Sequence, residues 1–164
     1  MTRALFIGRF QPFHNAHLAD VKKILKECDE ILIAVGSSQE KSTKENPFSY
    51  NERKQMIANV LKKAKIRNFK IYPVPDLYDD FKWIKYIKKN LPKFDYVYSG
   101  NKWTLKCFRK HDSSIKKIRL VKGISSTIVR DKIIRDKDWK RLVPKEIADY
   151  IVKAKGVERI RKLY

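Results

Sequence analysis

Two of the chain's three histidines, His14 and His17, stand three residues apart in "GRFQPFHNAH", directly after the apolar run "ALFI". Imidazoles so placed donate hydrogen bonds to phosphate oxygens and to negative charge building on them. Gly8 allows close backbone approach to a bound group, Arg9 adds a fixed positive charge, and Pro12 restrains the loop. A helix starting near Ala16 puts His17 in its first turn and His14 just before it, where free N–H groups and the macrodipole favour an anion. A second set of this kind lies at "SSTIVR": Ser125, Ser126 or Thr127 caps a helix, and Arg130 follows Thr127 by three residues. Each set alone also reads as something plainer, a pair of surface histidines and an ordinary helix cap.

Those residues need elements to carry them. "ALFIG" is a short buried-type strand. Leu18, Val21, Ile24, Leu25 and Cys28 recur at helical spacing, and "EILIAVG" is a second strand, completing a βαβ unit. After the polar loop "SSQEKSTKENPFS", the stretch "YNERKQMIANVLKKA" predicts an amphipathic helix with Met56, Ile57, Val60 and Leu61 inward. "FKIYPV", "FDYVYSG" and "KKIRLV" read as strands, alternating with helices at "FKWIKYIKKNL" and "WTLKCFRK". This alternation predicts an α/β fold: a central, mostly parallel five-stranded sheet with helices on both faces, then a helical C-terminal part from about 125 to 164. Ligands of such sheets lie beyond the carboxyl ends of the strands, where the first loop starts. With no linker, repeat or low-complexity tract, residues 1–164 are expected to form a single domain.

In order along the chain, "GRFQPFHNAH", "ENPFSYNER", "YSGN", "ISSTIVR" and "KGVERIRKL" resemble the motifs of the nucleotidyltransferase superfamily, and most closely the archaeal-type nicotinamide mononucleotide adenylyltransferases. The resemblance runs nearly end to end. It implies a Rossmann-like domain, often assembled into homo-oligomers, that transfers the adenylyl group of ATP to nicotinamide mononucleotide, giving NAD and pyrophosphate with Mg²⁺ as helper. It places Arg9, His14 and His17 at the reacting α-phosphate, with His17 nearest the transition state. Lys44 would offset triphosphate charge, while Ser126, Thr127 and Arg130 would hold the β- and γ-phosphates. Gly8, Gly100 and Asn101 fall to the nucleotide, and Phe10, Gln11, Asp76, Asp80 and Trp83 to the acceptor. Ala16 stands where the family motif has glycine, and Asp80 where it has asparagine.

An anionic phosphate nucleophile needs no general base and no covalent intermediate, so alignment for in-line attack and charge stabilisation are the chemistry required. Mg²⁺ would ride mostly on substrate oxygens and water, so no protein metal ligand is expected. Trp83, on the flank of the stripe made by Asp80, Ile84, Ile87 and Leu91, reads either as a platform for a pyridinium ring or as a core tryptophan.

Composition narrows the alternatives. A net charge of +21, with 20 basic against 7 acidic side chains in residues 101–164, fits phosphate-bearing partners. Transfer to another phosphate acceptor, such as phosphopantetheine or a flavin mononucleotide, is the competing enzymatic reading. A basic nucleic-acid-binding domain is the non-enzymatic one, and it leaves the paired histidines unexplained. Two widely separated cysteines suggest neither a disulfide framework nor a zinc site, and with no membrane-length apolar run a cytoplasmic chain is expected.

Overall fold

Strand β1 (Arg3–Gly8) and strand β2 (Glu30–Val35) are apolar on both sides, the pattern of parallel strands covered on both faces. In a computed structural model, which describes residues 1–111 and 114–164, they pair in parallel from Arg3 with Glu30 to Gly8 with Val35. Strands β3 (Phe69–Pro73), β4 (Tyr96–Ser99) and β5 (Ser114–Lys117) complete an all-parallel sheet of order β3-β2-β1-β4-β5. The order reverses direction between β1 and β4, so the loops leaving Gly8 and Ser99 flank the switch point. Seven α-helices occur among the described residues, none long and apolar enough to cross a membrane.

The chain forms two compact units. Unit 1 (Met1–Gly8, Asp20–Ser38, Asn68–Leu120) contains the whole sheet. Helices α3 (Asp80–Asn90) and α4 (Lys102–Arg109) close one face: Trp83, Ile84, Ile87, Cys107 and Phe108 join Leu5, Ile7, Leu32, Ala34 and Val97 in one buried cluster. Helix α1 (Asn15–Glu27) ends in this unit, and Glu27 accepts the Tyr98 hydroxyl of β4 at 2.9 Å. Because Tyr98 pairs with Phe6 and alternates with Val97, α1 lies on the sheet face opposite α3 and α4.

Unit 2 (Arg9–Ala19, Gln39–Arg67, Val121–Tyr164) is helical: the first turn of α1, then α2 (Tyr50–Lys63), α5 (Ser126–Ile134), α6 (Lys145–Lys153) and α7 (Gly156–Lys162). The capping box Ser49/Glu52 starts α2, and Met56, Ile57, Val60 and Leu61 are its buried face, as the periodicity predicts. The tail packs on its own chain: Ile160 is buried, and Arg161 donates to the Ile133 carbonyl at 3.0 Å and to Asp136 at 2.6 Å.

Strand boundaries shift in several places. Gly8 is the last residue of β1, and β4 keeps only Tyr96–Ser99 of "FDYVYSG". The fifth strand ends at Lys117 instead of running through Val121, because β4 offers only four residues and its register stops at Ser99 opposite Lys117.

One tight spot in unit 2 sets a prediction. A Cβ on Gly156 would lie 2.9 Å from Phe48 Cε1, 3.0 Å from Ile151 Cγ2 and 3.0 Å from the Ile151 carbonyl, and Phe48 is fully buried. Gly156→Ala therefore overpacks the start of α7, and chemical denaturation should show a loss of about 1–3 kcal/mol; an unchanged midpoint would contradict this packing.

Candidate phosphate-binding site

The loop Arg9–Phe13 leaves β1 and is over-determined. Phe10 sits at φ 53°, a conformation that costs a non-glycine residue roughly 1–2 kcal/mol, and its ring is buried edge-on to His17 at 4.9 Å. Gln11, 1% exposed, donates its amide Nε2–H to the Phe48 carbonyl at 2.8 Å and accepts the Phe48 N–H at 3.0 Å. The Gln11–Pro12 peptide is cis. Two guanidinium groups hold loop carbonyls: Arg53 donates to Arg9 O at 2.7 Å, and Arg130 to Gln11 O at 2.9 Å. Ser126 adds its hydroxyl to Pro12 O at 2.8 Å.

The histidines follow directly. Their rings stack at 3.5 Å with 16° between planes, and they cap each other: the His14 N–H donates to His17 Nδ1 at 3.2 Å, the His17 N–H to His14 Nδ1 at 3.4 Å. An Nδ1 that accepts carries no proton, so each neutral ring is the Nε2–H tautomer. Burial pushes the pKa of His14 down to about 4. Burial, with the neighbouring His14 second, holds that of His17 well below the usual imidazole value. At neutral pH both rings are uncharged hydrogen-bond donors.

The second set converges on the same loop. Ser125 caps α5 by accepting from the Ile128 N–H at 3.1 Å, Thr127 is exposed in the first turn, and Arg130 is 5% exposed. The Arg130 Nε–H is buried without a partner among the described residues, an expensive state for a charged donor unless an anion meets it. Arg9 is exposed, and so is Lys44, whose ammonium lies 5.2 Å from the centre of the Tyr164 ring. Arg9, Phe10, Gln11, His14, His17, Lys44, Ser126, Thr127 and Arg130 thus all belong to unit 2.

Gly8, Asp76, Asp80, Trp83, Gly100 and Asn101 belong to unit 1. Trp83 is 4% exposed, packed against Trp103 at 4.8 Å and Phe108 at 5.8 Å within the sheet core. The Asp80 carboxylate accepts the Trp103 indole N–H at 3.2 Å. Burial, then the charge of Asp80 and its hydrogen bond, push the Cys107 thiol up to about 11. Asp80 therefore ties α3 to α4. Asn101 caps α4 through Thr104 N–H at 3.0 Å. Asp76 is half-buried and Gly100 lies beneath the exposed Leu120.

Arg53 escaped the sequence reading, although a signal existed. An arginine three and four residues before Met56 and Ile57, on the apolar stripe of α2, is a cation on the buried face, and here it is fully buried. Among the described residues no group of three or more His, Cys, Asp or Glu side chains stands at metal-ligand spacing. The donors gathered in unit 2 are N–H groups and cations, a set for phosphate oxygens rather than for a metal ion.

A cytidylyltransferase-like family model matches residues 5–132. The nicotinamide-nucleotide adenylyltransferase of Methanococcus aeolicus is 40% identical over 98% of this chain and 94% of its own length. The enzymes of that name from Thermoplasma acidophilum and Pyrococcus furiosus are 37% and 35% identical, covering 98% and 99% of this chain and 91% and 89% of theirs. Among solved structures, a bifunctional NMN adenylyltransferase/ADP ribose pyrophosphatase from Francisella tularensis superposes with a TM-score of 0.83 at 26% identity, over 99% of this chain and 52% of that one. A second structure from that organism, described as complexed with AMP and a Mn ion, has a TM-score of 0.82 at 24% identity, over 99% and 51%. The chain spans about half the length of these two solved proteins. Near-complete coverage by relatives of one name, with the family model over most of the sheet-bearing sequence, means that this chain belongs to the cytidylyltransferase-like family, among its nicotinamide-nucleotide adenylyltransferases.

Proposed function

We propose that this chain transfers the adenylyl group of ATP to nicotinamide mononucleotide. A 5′-phosphate oxygen of the acceptor attacks the α-phosphorus, the bond from that phosphorus to the α,β-bridging oxygen breaks, and pyrophosphate leaves as NAD forms. The observation that carries this reading is the buried Arg130 Nε–H without a partner, on the helix that shares the Arg9–Phe13 loop with two neutral Nε2–H imidazoles.

His17 donates to the α-phosphate oxygens as charge grows on them, and His14 adds a second donor to the polyphosphate. Arg9 and Lys44 offset the remaining charge. The first turn of α5, with Ser126, Thr127 and Arg130, takes the β- and γ-phosphates and then the leaving pyrophosphate. Phe10 and Gln11 act by shaping the loop, since the Gln11 amide is committed to Phe48 and the Phe10 ring is buried. In unit 1, Gly8, Gly100 and Asn101 are assigned to the nucleotide and Asp76, Asp80 and Trp83 to the acceptor; Asp80 acts there through the Trp103 indole that it holds. Mg²⁺ would come in on the phosphates, held by their oxygens, and would supply charge neutralisation on the leaving group. Homo-oligomerisation belongs to the same reading, and sedimentation of the purified chain measures it.

Offered ATP and Mg²⁺, the chain should release pyrophosphate with nicotinamide mononucleotide and not with phosphopantetheine or flavin mononucleotide. Turnover on either of the latter overturns the acceptor assignment. His17→Ala should lower kcat by about 10²-fold or more with the secondary structure retained by circular dichroism; wild-type turnover removes His17 from the chemistry.

The imidazoles also set an acid limb of stability. Unfolded, they bind protons near pH 6.5; folded, they resist until about pH 4 for His14 and lower than the ordinary value for His17. The unfolded state therefore carries more protons between these values, and stability falls as pH drops from about 6.5 towards 4, by up to ~1.4 kcal/mol per unit for each ring. Denaturation across this range should show that slope, reduced in His14→Gln; a flat profile contradicts the neutral pair.

A further inference from the structure

Helix α7 and the residue that ends the chain are bound to the loop that carries Lys44. Arg159 Nη1 donates to both oxygens of Glu52, at 2.8 and 2.9 Å, and to the Pro47 carbonyl at 3.3 Å, while its guanidinium carbon lies 5.7 Å from the centre of the Phe48 ring. Its Nη2 returns to the Ala154 carbonyl at 3.4 Å, so the arginine is anchored at both ends. Gly156 opens α7 against the same Phe48 ring. Tyr164 donates its hydroxyl to the Lys44 carbonyl at 3.3 Å and offers its ring face to the Lys44 ammonium.

This is more grip than a helix of seven residues needs merely to stay folded. Ile160 is fully buried and Arg161 is tied to Ile133 and Asp136, which already dock α7. Arg159 and Tyr164 also bond to residues 44–52, at the Lys44 and Pro47 carbonyls and at the Glu52 carboxylate that caps α2. Glu52 is the N3 member of the capping box, so Arg159 fixes the start of α2 as well as the loop before it. Phe48 is the residue that the Gln11 amide clasps.

We propose that Arg159 and Tyr164 are positioning residues for nucleotide binding, holding the Lys44–Glu52 segment so that the Lys44 ammonium is presented to the triphosphate in one place. The proposal rests on the functional reading above for Lys44. A lysine in an exposed polar loop loses side-chain freedom on binding a phosphate, and the free loop loses more. Tyr164 removes part of that loss in advance by fixing the carbonyl and the ammonium together. It touches neither substrate, so its effect falls on ATP affinity and not on the chemical step.

The test uses the full chain, with steady-state kinetics for each substrate and calorimetric ATP binding as an independent readout. Tyr164→Ala should raise the KM and Kd of ATP about fivefold, with kcat and the acceptor KM unchanged within about twofold. Tyr164→Phe, which keeps the ring and loses the hydroxyl, should fall between. Arg159→Gln should match Tyr164→Ala, with partial recovery in Arg159→Lys. Lys44→Ala should weaken ATP at least as much as Tyr164→Ala, and the double variant should be no worse than Lys44→Ala alone. Equal ATP affinity in wild type and Tyr164→Ala overturns the proposal, as does additivity in the double variant. If Arg159→Gln does not fold, the Tyr164 series decides, because that residue is 55% exposed. A wild type that binds ATP but transfers to no acceptor sinks the functional reading and leaves the ATP-affinity test standing.

Discussion

Two buried guanidinium groups hold two alternate carbonyls of a strained loop, and the candidate phosphate site depends on that. Arg53 takes Arg9 O and Arg130 takes Gln11 O, on either side of a phenylalanine at positive φ. Without such donors the loop would carry unpaired carbonyls beside buried rings, and the backbone would relax towards an ordinary turn. Gln11 completes the frame by replacing a strand partner for Phe48, with one acceptor and one donor at 3.0 and 2.8 Å. The arrangement is rigid without being part of any sheet or helix.

Arg130 has two duties in this frame, and they use different atoms. One terminal nitrogen holds Gln11, while the Nε–H stays buried and unpartnered. A guanidinium fork is planar and fixed, so anchoring one edge aims the rest. The same economy appears in Glu52, which accepts the Ser49 N–H as a helix cap and Arg159 as an ion-pair partner. In both cases one charged group serves two bonds, and each bond fixes a segment of unit 2.

Much of this was legible before any coordinates. The alternation of strand and helix gave the parallel sheet, since both β1 and β2 are apolar on every position that a doubly covered strand buries. His14, His17, Ser126 and Arg130 could be singled out because the two motifs, each plain by itself, occur in one chain at a strand exit and a helix cap. The rest required a third dimension. Periodicity marks Arg53 as misplaced on an apolar stripe but cannot say that it reaches Arg9, 44 positions away. Gln11 reads as a polar residue beside a ligand loop, yet its amide is occupied by Phe48 backbone groups that no local pattern pairs with it. Trp83 had two readings of equal standing in the stripe of α3, and its 4% exposure against Trp103 and Phe108 gives the packing side of the choice its physical basis. The edge of β5 failed for a different reason, because a strand's length is set by its partner, here the four residues of β4.

The neutrality of the histidine pair matters in a chain that carries +21. A permanent cation beside a polyphosphate already binds it strongly in the ground state, so part of its interaction tightens binding without lowering the barrier. A neutral N–H donor gains little from a phosphodiester oxygen at rest and more as that oxygen takes on charge. Mutual capping at 3.2 and 3.4 Å keeps both rings in the tautomer that donates, and burial keeps the extra proton off. Cations that bind a polyphosphate and uncharged donors that respond to developing charge are therefore not redundant, and the buried, mutually capped histidine pair is of the second kind.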